Sequence, residues 1–142
     1  AQKLEHAVMK YIAQCECGQL KLEIDSEPVL ELRCHCRDCQ DALRADYATI
    51  AFFKMNEAVV TGEFAEKIYL AESGNETCRQ YCDHCSTMMF DRSEGFPHLL
   101  GVMSDQLQHP FESSPSCHVY VRDKKPGVEI PAGMKQHEAG LS

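Results

Sequence analysis

No apolar run in the sequence approaches the roughly 20 residues of a membrane span. No charged start followed by an apolar stretch marks a secretory leader. These two absences set the expectation of a cytoplasmic protein with no membrane partner. Basic clusters are missing too: apart from the isolated Lys124-Lys125 pair, the 14 Lys and Arg are scattered among 22 Asp and Glu. The resulting formal charge of -8 repels phosphate backbones, which argues against nucleic acid as a partner. Internal repeats and low-complexity tracts are absent as well, and helical signals are weak. Residues 37 to 44 could form one turn or two, and Ser104 to Leu107 a short turn with Ser104 as its cap.

What is present suits one globular domain. A chain of 142 residues falls within the usual domain size and can bury about 68 to 70% of the surface it exposes when unfolded. Hydrophobic residues make up 44% and charged ones 25%, ordinary globular proportions, so a metal would organise this fold without replacing its core. Leu20, Leu22 and Ile24 alternate with Lys21 and Glu23, the period of two of a half-buried strand. Further strands are expected at Val29 to Leu32, Tyr47 to Phe53, Ala58 to Thr61, Lys67 to Leu70 and Thr77 to Tyr81. Met88 to Asp91, Leu99 to Met103 and His118 to Arg122 complete the set. The expected fold class is mainly β, an antiparallel single domain over residues 1–142. Residues 1–10 read as an arm or short edge element, and 126–142 as a loosely held tail.

Nine cysteines stand out, and the number is odd. Disulfide frameworks favour even counts in short secreted chains, so clustered thiols here point to metal binding or catalysis. Cys15 and Cys17 precede Gly18; Cys34, Cys36 and Cys39 fall within six residues; Cys82 and Cys85 bracket two polar residues. Zinc takes four ligands in a tetrahedron with Zn–S near 2.3 Å, which sets the sulfurs about 3.8 Å apart. Residues two apart on a strand share a face with Cα atoms about 6.6 Å apart, so Cys-x-Cys is a workable half-site. Cys-x-x-Cys on a tight turn is another, and Gly18 permits the positive φ that a metal knuckle often needs. Cys34, Cys36 and Cys39 can reach one ion unaided. That leaves Cys15, Cys17, Cys82 and Cys85 as a closed four-sulfur set drawn from distant parts of the chain. Two zinc ions per chain are therefore expected, with the three-ligand one vacant at its fourth position and more easily lost.

A competing reading closes the triple with His35, His84, His118 or a carboxylate, making both sites structural. His35 lies between two ligands and should point away from their shared face. His84, inside its turn, should be exposed. Cys78 and Cys117 read as small apolar thiols in or near the core.

The ordered set Cys15-x-Cys17-Gly18, Cys34-His35-Cys36-x-x-Cys39-Gln40, Tyr81-Cys82-x-x-Cys85 and His118-Val119-Tyr120-Val121-Arg122 resembles the glutathione-dependent formaldehyde-activating enzyme family, which includes centromere protein V. The resemblance runs from about Cys15 to Ile130. It implies a β-tent of antiparallel sheets, a structural zinc at Cys15, Cys17, Cys82 and Cys85, and a reactive zinc at Cys34, Cys36 and Cys39, the catalytic positions. It also implies a zinc-dependent carbon-sulfur lyase joining a thiol and a small aldehyde, in the family glutathione and formaldehyde, as a hemithioacetal adduct. The expected partners are that thiol and aldehyde or their adduct, with a homodimer left open. Asp38, His35 and His118 are the candidates for proton transfer. The alternatives are a non-enzymatic zinc module that binds other proteins, and a metal or redox sensor. Ser86 and Arg44 stand where the family usually has Gly, and Gly127 aligns with a Trp. All three are expected near the pocket, making glutathione a poorer substrate than in typical relatives.

Overall fold

The structure, a computed structural model, describes residues 10–141. Strands follow in the order β1 (Tyr11–Gln14), β2 (Lys21–Ile24), β3 (Leu30–Cys34), β4 (Ala48–Lys54), β5 (Ala58–Thr61) and β6 (Phe64–Leu70). Then come β7 (Glu76–Cys82), β8 (Met88–Ser93), β9 (Leu99–Met103), β10 (Cys117–Val119) and β11 (Lys135–Gln136). Among the described residues one α-helix, α1 (Arg37–Leu43), interrupts them between β3 and β4. The strands form a three-stranded sheet, β1-β2-β5, and an eight-stranded sheet, β11-β10-β3-β4-β9-β8-β7-β6. No helix among the described residues is long and apolar enough to cross a membrane.

The period of two in a strand explains how one sheet serves two cores. On β4, Ala51 and Phe53 face a cluster that includes Leu22, Ile24, Phe90 and Val102 beneath the small sheet. Ile50 and Ala48 face the other way, with Phe52, into a second cluster around Leu32, Met88, Met103 and Val119. A strand buried on both faces reads as a continuous apolar run, as Tyr47 to Phe53 does. Cys34, Cys36 and Cys39 belong to the second cluster, and Cys15 and Cys82 to the first. Each group of thiols is thus built into a different core.

The mainly β expectation holds, and pairing is antiparallel apart from β10, which runs parallel to both β3 and β11. The strand expected at His118 to Arg122 stops early because Tyr120 turns into the left-handed region at φ 56, starting a 3-10 turn over Val121–Asp123. Ser104 does not cap its turn: Met103 holds the cap position, and the Ser104 hydroxyl goes to Glu31 instead. β1 was not expected from the sequence, where its signal is weak because Ala13 is the one fully buried side chain in it. The expected N-terminal arm lies almost wholly outside the described residues. The segment expected to be loose over 126–142 is largely exposed, yet it is pinned where β11 joins β10 and where Tyr120 and Val121 donate to the carbonyls of Ala139 and His137.

Glu31 ties the segment that leads into β10 to the sheet. Its buried carboxylate accepts from the Ser104 hydroxyl at 2.7 Å, and from the Ser113 hydroxyl and Ser114 amide at 2.6 Å each. A buried carboxylate is tolerated when its lone pairs are met in this way, and removing it leaves the donors stranded. Glu31→Ala is expected to cost about 3 kcal/mol in chemical denaturation, whereas a loss under about 1 kcal/mol would show that water replaces the lost acceptor.

Candidate metal centre and the cavity beside it

The first thiol group joins the end of β1 to the turn between β7 and β8. Gly18, at φ 82, closes the turn after β1 with its amide on the Cys15 carbonyl at 3.1 Å, as the knuckle geometry requires. Cys15 and Cys17 sulfurs lie 3.6 Å apart, and Cys17 and Cys82 sulfurs 3.7 Å apart, close to the edge of a ZnS₄ tetrahedron, about 3.8 Å. All four sulfurs, with Cys85, fall within 4.8 Å of one another. Backbone amides turn toward them: Leu20 donates to Cys15 at 3.2 Å, and His84 and Cys85 donate to Cys82 at 3.4 Å. Such donors favour thiolate over thiol. The Thr87 hydroxyl, 3.0 Å from Cys85, is the main cause holding that thiol down to about 5.

The second group has another construction. Cys34 ends β3, Cys36 is the N-cap of α1, and Cys39 lies within α1 with its amide on the Cys36 sulfur at 3.3 Å. Gln40 fixes the helix by donating to the His35 carbonyl at 2.7 Å and the Asp123 carbonyl at 2.9 Å. The three sulfurs lie within 4.8 Å of one another and are all buried. Three thiolates this close would repel strongly without a cation between them. Hydrogen bonding from Cys34, then Cys39, holds Cys36 down to about 3, while Cys34 is pushed far up, chiefly by its hydrogen bond with Cys36. Hydrogen bonding within the triple thus favours the ionised form at Cys36 and opposes it at Cys34. The buried guanidinium of Arg79 donates to Cys39 at 3.7 Å and lies 4.2 Å from the centre of the Tyr69 ring. Converging sulfurs, donors aimed at them and a cation behind them form a set that fits zinc at both places.

Among the described residues no histidine or carboxylate joins either cluster. His35 turns away from the sulfurs, as expected, with Nε2 2.8 Å from Nδ1 of His118 and the two rings stacked at 5.1 Å. Burial foremost lowers His35 to about 4 and lowers His118 as well, which makes a neutral, buried pair. His84 is exposed, Cys117 is buried and Cys78 is half-buried, and none of the three joins a cluster.

Beside the triple lies a cavity of about 330 Å³, near the lower end of the range for small-molecule sites. Cys34, Cys36 and Cys39 line it, and none of the other four clustered cysteines does. Leu30, Leu32, Phe52, Phe96, Leu99 and Val119 supply most of its wall, and Tyr69 and Tyr120 stand with them. Its one charged lining residue is Asp91, the register partner of Arg79 across β7 and β8. Burial is the main cause lifting the Asp91 carboxyl to about 6, against the opposing pull of Arg79. Asp38, His35 and His118 do not line this cavity. Asp91 was missed in the sequence, where its signal is a lone acid closing the apolar run Met88 to Phe90. A larger, open cleft of about 720 Å³ beside β11 contains none of the clustered thiols.

Arg44, Ser86 and Gly127 also lie away from the cavity lining, contrary to expectation. The backbone explains two of these positions differently: Arg44 has φ 53 and Ser86 φ 64, both left-handed, where glycine is the unstrained choice. Arg44 is the C-cap of α1, and Ser86 closes the knuckle with its amide on the Cys82 carbonyl at 2.9 Å. The glycine expected at these two positions therefore answers to backbone conformation and not to pocket shape.

A family model described as glutathione-dependent formaldehyde-activating enzyme matches residues 10–123. The fold is similar to a crystal structure of a Rhodobacter sphaeroides protein from structural genomics, at 17% identity and a TM-score of 0.55, covering 89% of this chain and 98% of that one. At this identity the likeness concerns the fold alone. No curated protein matches the chain.

Because Ser86 is exposed and left-handed, Ser86→Gly is expected to raise stability by about 0.5 to 1 kcal/mol, the reverse of glycine's ordinary effect. A shift of the denaturation midpoint to lower denaturant would contradict the strain assignment.

Proposed function

Because the chain belongs to the glutathione-dependent formaldehyde-activating enzyme family, we propose that it is a zinc-dependent carbon-sulfur lyase that forms or cleaves the hemithioacetal of a thiol and a small aldehyde. The observation that carries this reading is the contrast between the two thiol groups: the triple faces a cavity, and the set of four does not. Cys15, Cys17, Cys82 and Cys85 would hold a structural zinc, and Cys34, Cys36 and Cys39 the reactive one. A zinc ion at the triple would supply an open coordination position and the Lewis acidity that keeps a sulfur ligand deprotonated near neutral pH.

The chain's own residues would do the rest. The mostly apolar wall would leave few groups to hold water against the reacting carbonyl carbon. Above about pH 6 the Asp91 carboxylate is free to take the proton of the incoming thiol. The sulfur then attacks the carbonyl carbon: a carbon-sulfur bond forms, the carbonyl π pair moves to oxygen, and Asp91 returns its proton to that oxygen. Thiol and aldehyde together account for every atom of the hemithioacetal. Arg79, donating to Cys39, offsets negative charge that collects on the sulfurs.

Metal content and stability test the division of labour. Cys82→Ser should impair folding, because a structural zinc contributes on the order of 10 kcal/mol and joins segments far apart in the chain. Cys36→Ser should remain folded with one zinc in place of two. Equal collapse of both variants, read by thermal melts and elemental analysis, would reject the assignment.

Uncatalysed addition of thiols to formaldehyde is fast, so the activity must be read as exchange. Magnetisation transfer between formaldehyde hydrate and the S-hydroxymethyl adduct should be faster with protein than with Cys36→Ser, and the rate should rise with pH through about 6. Asp91→Asn should lower it about 100-fold, remove that pH limb and leave zinc content unchanged. If no thiol exchanges faster than in the Cys36→Ser control, the binding-module reading replaces the enzyme.

A further inference from the structure

We propose that the thiol taken by this site is small, uncharged and apolar, such as an aryl or alkyl thiol, in place of glutathione. The proposal rests on the lyase reading for the role of the thiol, and on the cavity lining for its chemistry. Among the described residues that lining contains no lysine, arginine or histidine. Glutathione carries two carboxylates and one ammonium at neutral pH, and a buried carboxylate without a partner is strongly disfavoured. The two nearby arginines are already engaged. Arg79 is buried against Cys39 and the Tyr69 ring. Arg122, over the Tyr120 ring at 5.5 Å, pairs with Glu72 at 3.3 Å.

The one charged side chain that faces the cavity among the described residues is of the wrong sign for glutathione. Asp91 would repel carboxylates, and the chain's net charge of -8 adds to this at long range. Much of the remaining wall suits an apolar tail: Leu30, Leu32, Phe52, Leu99 and Val119 line it with Phe96, which is 43% exposed. Ser73, Asn75, Thr77 and Ser93 add neutral polar groups and no cation. Burying a phenyl or short alkyl group against these residues gains from its removal from water in proportion to area.

The test uses the zinc-loaded protein with three probes: phenylmethanethiol, benzyl methyl sulfide and glutathione. Methyl NMR titrations are expected to move Leu30, Leu32, Leu99 and Val119 with phenylmethanethiol, at a dissociation constant at least tenfold below that of glutathione. Benzyl methyl sulfide, which has no ionisable sulfur, should move the same methyls more weakly, showing recognition of the tail itself. Phe96→Arg, a change at an exposed position, should narrow the preference by weakening phenylmethanethiol and strengthening glutathione. The proposal is overturned if glutathione binds as tightly as phenylmethanethiol, if neither binds, or if the shifts fall outside the cavity. The exchange measurement separates this outcome from the lyase reading. Tight binding of phenylmethanethiol without enhanced exchange for any thiol defeats the lyase and leaves the apolar site standing. Enhanced exchange with glutathione but not with phenylmethanethiol keeps the lyase and defeats the apolar specificity.

Discussion

Sulfur atoms held within van der Waals reach of one another cannot all be ionised unless a cation sits among them. That constraint governs the rest of the molecule. It fixes where β1 ends relative to β7, because Cys15 and Cys17 must meet Cys82 and Cys85. It fixes how β3 passes into α1, since Cys34, Cys36 and Cys39 must converge within one turn. The amides of Leu20, Cys39, His84 and Cys85 all aim at sulfur, and Arg79 brings the one buried guanidinium that touches a clustered thiol among the described residues. Within the triple, hydrogen bonding favours ionisation at Cys36 and opposes it at Cys34.

The same chemistry placed in two settings gives two roles. The four-sulfur group lies against the core between the sheets, and its work is to join chain segments. The triple lies in the other core, where a gap in the packing leaves a cavity. The family model that matches the chain is described as an enzyme, and in the proposed function the triple is its reactive group.

Much of this was legible in the sequence because the ligands are close neighbours along the chain. Cys-x-Cys and Cys-x-x-Cys spacings restrict geometry locally, so the division into four and three could be read before any tertiary information. Strand positions were legible for the same reason: Leu22 and Ile24 alternate with charge, and β4 is apolar on both faces. The cavity was not legible, because its wall draws single residues from strands far apart in sequence and from Gly140 and Leu141 at the late end. Asp91 reaches the site through the register of β8 with β7, which no local pattern reveals. The parallel pairing of β10 was equally hidden, since it depends on where the Glu31 contacts draw the segment before it. Arg44 and Ser86 mislead in the other direction: departures from glycine looked like changes of pocket, and they are changes of backbone cost.

Strand β4 is one residue thick, and its two faces look into different chambers. Ala51 and Phe53 belong to the packing that holds the sheets together; Ile50 and Phe52 belong to the side where the triple opens. Odd and even positions of the same short segment are therefore exposed to separate selective pressures. Of the even positions, Ala48 and Ile50 fill the second core and Phe52 lines the cavity, so a lineage could retune what the cavity accepts at Phe52 and leave the packing between the sheets to the odd positions.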